Sequence, residues 1–264
     1  MTQETFIHPQ ALVHSKAQIG QGAYIDAFSI VEENTEIGDN TILHPHSIVR
    51  SGSRIGNHCN IHPGAVIGGI PQDLKFKNEE TLAIIGDKTT VREYATVNRG
   101  TASRGFTKVG DECLLMAYSH VAHDCVLNNN IIIGNATQIA GEVLIDDFAI
   151  LSGGVLVHQF VNISQHVMIQ GGSKVTKDIP PYIIIGRDPI AYCGINIVGL
   201  RRRGFTDKQI FLIGDIYRTL YLKGLNNTDA LNTIALEYPS SDERDLILNF
   251  IKNSQRGIVR SNLE

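Results

Sequence analysis

The chain is expected to be mainly β with an α-helical tail: a parallel β-helix, then a small helical domain. Three features point there. An aliphatic residue recurs every six positions, the two breaks in that beat keep its phase, and the last quarter changes to helical spacing with capping signals. Counting by six from Ile7 to Val175 gives 29 positions, of which 26 are Ile, Val or Leu; only Asp73, Glu79 and Ser103 break the run. The residue four places after each beat is usually small, as at Ala11, Ala17, Ala23, Ser29, Thr35 and Thr41. A period of six fits no helix of 3.6 residues per turn, but it holds three strand steps. A hexapeptide repeat of this kind marks a β-helix in which each short strand is one wall and each corner turns the chain. Three walls make an eighteen-residue coil, so residues i and i+18 should lie on adjacent strands roughly 4.8 Å apart.

The domain expected over 1–190 is therefore the hexapeptide-repeat β-helix. Its two breaks fall at 68–84 and 100–108, each rich in Gly, Pro or charge as loops are. Asp73 and Lys75 are the candidate polar contacts of the first loop, because a long loop in an economical repeat is usually functional or disordered. Pro180-Pro181 should close the prism, since proline cannot donate to a ladder, leaving 181–195 irregular. The domain expected over 191–264 is helical. Thr206 and Gln209 form a capping-box pattern before Ile210, Ile213, Ile216, Tyr217 and Leu220, with Gly224 as the stop. A second helix is expected from Thr228 to before Pro239, and a third from near Ser240, with Glu243 completing a box, to about Asn253.

The formal charge of −4 argues against a general nucleic-acid binder. The chain opens on no charged-then-apolar leader and contains no apolar run long enough to span a bilayer, so a soluble cytoplasmic protein is expected. Cys59, Cys113 and Cys125 occupy small-residue slots and read as packed thiols; Cys193 carries no signal of its own. His8, Asp26, His44 and His62 are spaced by eighteen and should stack on one wall. Ligands in a single line do not surround an ion tetrahedrally, so a hydrogen-bonded ladder is expected there and no metal. Arg201-Arg202-Arg203 reads either as a solvated helix end or as a clamp for phosphate or carboxylate.

The most reactive-looking hexad is Val121-Ala122-His123-Asp124-Cys125-Val126. His123 and Asp124 fill neither the aliphatic nor the small slot and are expected at a corner, pointing outward. A carboxylate neighbour orients an imidazole and makes it more basic, which suits a general base near neutral pH. Eighteen residues on from His123 is Gly141, and eighteen more gives Gln159. A base beside an exposed backbone N–H is what acyl transfer needs, because the N–H can hold the developing oxyanion. No Ser or Cys in this column looks like a nucleophile, so direct transfer is expected. His120, His158 and His166 lie around the same region in sequence.

These segments carry a family resemblance. Gln-Asp-Leu-Lys (72–75), Asn-Arg-Gly-Thr (98–101), His-Val-Ala-His-Asp-Cys (120–125), Val-His-Gln-Phe (157–160) and Gly-Leu-Arg-Arg-Arg-Gly-Phe (199–205) together resemble the acyl-carrier-protein–UDP-N-acetylglucosamine O-acyltransferase family, over nearly the whole chain. The resemblance implies a homotrimer of left-handed prisms with active sites between subunits, committing the sugar nucleotide to lipid A synthesis without a cofactor. It implies that His123 is the general base oriented by Asp124, and that Gly141 is the oxyanion donor. By the same resemblance Asp73, Lys75, His120 and His158 contact the sugar nucleotide, Gln159 and Asn196 its nucleotide part, and Arg202 and Arg203 the phosphate or the carrier protein. Gly171 matches the position that limits acyl length, the donor being a carrier protein bearing a 3-hydroxyacyl chain. Where the enterobacterial form has a histidine after the oxyanion glycine, this chain has Glu142, a carboxylate that only accepts hydrogen bonds. Two other readings stand beside this one: transfer to a 3-amino sugar nucleotide, and a metal-dependent hydratase resembling the γ-carbonic anhydrases, which needs three imidazoles converging on zinc.

Overall fold

The computed structural model describes residues 4–261, so the outermost three residues of each expected domain lie outside it. Among the described residues, short strands stack into three faces of eleven, nine and eight strands. The first face begins with Phe6–Ile7, Tyr24–Ile25 and Ile42–Leu43, the second with Leu12–Val13 and Ile30–Val31, the third with Gln18–Ile19 and Glu36–Ile37. Ile7 pairs with Ile25, Val13 with Val31 and Ile19 with Ile37, each in parallel register at eighteen residues. The beat residues fill the prism: Ile25, Leu43, Ile61, Leu115, Ile133 and Ile169 are fully buried. Ile7 is 44% exposed because the first coil is the open end of the stack.

The breaks insert whole hexads. Across the first, Ile61 pairs with Val91 and Ile55 with Ile85, a separation of thirty instead of eighteen. Across the second, Val91 pairs with Leu115 and Val97 with Val121, a separation of twenty-four. The off-beat residues Asp73, Glu79 and Ser103 are therefore the beat positions of chain that has left the prism. Both excursions are shorter than expected, because strands run on to Val66–Gly69 before the first and resume at Phe106–Val109 after the second.

Corners follow one rule. The third residue after most beats takes a left-handed conformation, as at Phe28 (φ 60°), Asp124 (φ 61°), Glu142 (φ 60°) and Phe160 (φ 67°). For an L-residue this costs roughly 1 kcal/mol or more. It lets the corner amide donate to the coil before, as Glu142 N–H does to the His123 carbonyl at 3.0 Å. The expected wall of His8, Asp26, His44 and His62 forms, but as ring stacking: the His44 and His62 centroids lie 4.5 Å apart, and His62 Nδ1 faces Glu93 at 3.4 Å.

Residues 181–195 are not irregular. Ile183–Gly186 continues the first face in parallel with Met168–Ile169, and Ala191–Ile195 folds back on it antiparallel. Buried Ile183 and Ile185 extend the core past Pro180-Pro181. Four helices follow: α1 (Ile197–Arg202), α2 (Asp207–Leu222), α3 (Asn227–Glu237) and α4 (Asp242–Asn253). Thr206 and Gln209 make the expected box on α2. Asn226, not Thr228, caps α3. Ser241 caps α4, and Glu243 does not close a box; its carboxylate accepts from Gln209 Nε2 at 2.6 Å and so ties α4 to α2. No helix among the described residues is long and apolar enough to cross a membrane.

Candidate active site

The edge between the second and third faces holds the reactive corner. His120–Val121 is the last strand before it and Val126–Leu127 the first after it. At the turn, His123 Nδ1 lies 2.8 Å from Asp124 Oδ2, so the ring donates to the carboxylate and keeps Nε2 free to accept a proton. One coil on, Gly141 packs face to face with this imidazole: a Cβ built on Gly141 would stand 2.5 Å from His123 Cε1 and 2.7 Å from Nε2. Any side chain there would expel the ring. Glycine thus brings the backbone against the base, as coil arithmetic requires. Phe160 N–H donates to the Gly141 carbonyl at 3.2 Å, which fixes Gln159 a further coil along the same edge.

Asp124 does not face outward as expected. It is fully buried and His123 is only 9% exposed. The cause is the second excursion, which folds over the corner. Thr101 N–H donates to Asp124 Oδ1 at 2.9 Å, Thr101 Oγ1–H to Oδ2 at 2.6 Å, and Arg104 N–H to Oδ1 at 3.2 Å. The Asp124 amide in turn donates to Thr107 Oγ1 at 2.8 Å. Burial alone would push the Asp124 carboxyl up, but the donors from Thr101 and His123 together outweigh it and hold it below the usual carboxylate value. Beside this pair, His120 Nδ1 shares a hydrogen bond with Thr96 Oγ1 at 2.7 Å. Burial, with a smaller push from His123, lowers its basicity.

The remaining candidates divide by edge. Glu142 follows Gly141 and is half-buried; His158, exposed two coils above the base, holds its Nδ1 3.0 Å from the Gln159 carbonyl oxygen. The Asp73–Lys75 loop is rooted two coils below: Asp73 Oδ1 accepts from Lys75 N–H, and Phe76 packs under the Arg99 guanidinium at 5.3 Å. Gly171 lies at the edge between the first and second faces, beside the Gly153 carbonyl, where a Cβ would meet that oxygen at 3.1 Å. Asn196 and Arg203 sit on the third edge. Asn196 caps α1 through Gly199 N–H and donates to the His166 carbonyl at 2.9 Å, while Arg203 covers the Phe148 ring at 4.4 Å. Arg202 is exposed beside them. One chain therefore gathers His120, His123, Asp124, Gly141, Glu142, His158 and Gln159, and leaves Asn196, Arg202 and Arg203 across a face from them. His166 also belongs to that far edge. Thr101, Arg104 and Thr107 escaped the sequence reading; off-beat Ser103 was the signal that extra chain lay beside this corner.

Comparison with known proteins bears on this geometry. A family model described as UDP N-acetylglucosamine O-acyltransferase, domain 2, matches residues 178–259, and bacterial hexapeptide-transferase repeats match 16–51 and 34–69. A curated acyl-[acyl-carrier-protein]–UDP-N-acetylglucosamine O-acyltransferase from Trichlorobacter lovleyi is 50% identical over 96% of this chain and 99% of its own. The chain belongs to the acyl-[acyl-carrier-protein]–UDP-N-acetylglucosamine O-acyltransferase family. A second relative of that name, from Sulfurihydrogenibium, is 52% identical over 96% of this chain and 94% of its own. The solved UDP-N-acetylglucosamine acyltransferase of Bacteroides fragilis superposes with a TM-score of 0.96 at 53% identity, covering 97% of this chain and all of the other. That of Francisella novicida gives 0.94 at 37% identity over 98% and 95%. The prism of this O-acyltransferase family member is a left-handed parallel β-helix followed by C-terminal helices.

Proposed function

We propose that this protein moves a 3-hydroxyacyl chain from acyl carrier protein to the 3-hydroxyl of UDP-N-acetylglucosamine, the first step of lipid A biosynthesis, in the cytoplasm. The observation that carries the chemistry is the contact of the His123 ring with Gly141, with Asp124 behind it. His123 Nε2 takes the proton of the sugar hydroxyl as its oxygen attacks the thioester carbonyl. The resulting oxyanion accepts from the Gly141 N–H. Collapse breaks the C–S bond, and the imidazolium returns its proton to the leaving thiolate, so no covalent acyl-enzyme forms. Asp73, Lys75, His120, Glu142 and His158 hold the sugar nucleotide, Gln159 and Asn196 its nucleotide part, and Arg202 and Arg203 the phosphate or the carrier. Gly171 limits the acyl chain. Because Asn196 and Arg203 stand on another edge than His123, we read the working unit as a homotrimer in which a neighbour's third edge completes each site.

Half-buried Glu142 beside Gly141 favours a second reading, a 3-ammonium acceptor drawn by the carboxylate and an amide product. Purified enzyme offered both acceptors with the same acyl carrier protein decides: the hydroxyl sugar is expected to turn over faster, and a strong preference for the amino sugar rejects the first reading. His123→Ala should reduce kcat by at least roughly a hundredfold without changing the oligomer; an active variant would remove His123 as the base.

A further inference from the structure

The excursion at 100–105 adds one whole hexad to a coil that closes without it everywhere above. Its three donors all meet at one carboxylate. We infer that this inserted hexad is a positioning device for the reaction, in which Thr101 locks Asp124 so that the carboxylate can hold His123 in the donating tautomer and against Gly141. The inference rests on the reading of His123 as the base, and it assigns Thr101 a role through Asp124, without contact to substrate.

The geometry leaves Asp124 little freedom. Its Oδ2 is shared between Thr101 Oγ1–H at 2.6 Å and His123 Nδ1–H at 2.8 Å, and its Oδ1 between the amides of Thr101 and Arg104. Thr101 is itself pinned, since its Oγ1 accepts from Ser103 N–H at 3.1 Å and Gly105 N–H returns to the Thr101 carbonyl at 2.8 Å. A buried carboxylate without such donors would favour its protonated form and release the ring. The loop supplies them from backbone and one hydroxyl, so no cation is needed behind the base. His120 on the preceding strand, Cys125 after the turn, Arg104 of the loop and Glu142 one coil above stand beside the pair.

Thr101→Val removes the hydroxyl and keeps the shape. Oδ2 then loses the donor that fixes its direction, so the carboxylate holds the ring less firmly against Gly141. The strongly hydrogen-bonded His123 Nδ1–H resonance, assigned by its loss in His123→Ala, should move upfield, kcat should fall roughly tenfold as one share of general-base catalysis, and KM for the sugar nucleotide should hold. Thr101→Ser should restore both resonance and kcat. An unmoved resonance in Thr101→Val, or no recovery in Thr101→Ser, overturns the lock. Should the Val variant not fold, amide exchange in the native protein serves: Thr101 and Arg104 N–H should be as protected as the strands, and exchange as fast as in the exposed Leu74–Lys77 loop overturns it. Full activity of His123→Ala would sink the base, whereas the Nδ1–H resonance in Thr101→Val still reads the lock.

Discussion

At the scale of single residues, the site depends on a missing methyl group. Gly141→Ala would place a carbon 2.5 Å from His123 Cε1, which real packing does not allow, so the imidazole must swing away. The expected outcome is a loss of acyl transfer of roughly a hundredfold or more with little change in the melting curve, because the ring and not the coil gives way. Steady-state kinetics beside thermal unfolding checks it; near-normal kcat would mean that the amide and ring do not work together. The meeting of His123 and Gly141 could be read from the chain because eighteen-residue coils fix which corners stack. The burial of Asp124 could not, since arithmetic on the repeat says where inserted residues leave the prism and nothing of where they fold. Asn196, proposed for a nucleotide contact, also caps α1 and donates its amide to the His166 carbonyl, a structural bond that no periodicity announces.

At the scale of elements, the helical tail is clamped to the prism through His166. Its ring stacks on Phe148 at 4.9 Å and on Tyr182 at 5.8 Å, meets Phe205 edge-on at 5.1 Å, and its carbonyl receives Asn196. Burial, then the nearby Arg203 charge, pulls its pKa down to about 4 from 6.5, against a smaller opposite pull from Asp147. The unfolded chain therefore binds a proton that the folded one refuses between those values. Stability should fall as pH drops from about 6.5 towards 4 and level off below, by no more than about 3 kcal/mol from this group. Melting temperatures at pH 7 and 5 test it: His166→Phe, a ring that the same corner conformation accepts at Phe148 and Phe160, should flatten the difference, and an unchanged acid slope would exonerate the clamp. Helix α2 was legible because its capping box is local. Helix α1, six residues long, has no periodicity to read, and in α4 Ser241 is the cap while Glu243 finds a tertiary partner in Gln209.

At the scale of the whole molecule, the prism tolerates extra chain only in multiples of six, since each strand must return with its beat residue inward. Deleting residues 70–81 removes two hexads and restores an eighteen-residue register; with Leu82→Gly to suit the left-handed corner, the β-helix should still fold, with native-like circular dichroism, while losing sugar-nucleotide turnover along with Asp73 and Lys75. Removing eleven residues instead should abolish folding, and equal stability of the two deletions would contradict the register argument. The fold was thus legible almost entirely from its period, whereas the division of site residues among three edges was not, because a linear repeat does not reveal which corner a later helix will cover. That division has a genetic consequence. On the proposed homotrimer, a chain carrying His123→Ala keeps a sound third edge and a chain carrying Arg203→Ala keeps a sound base, so mixed assemblies of two individually silent alleles should regain measurable turnover.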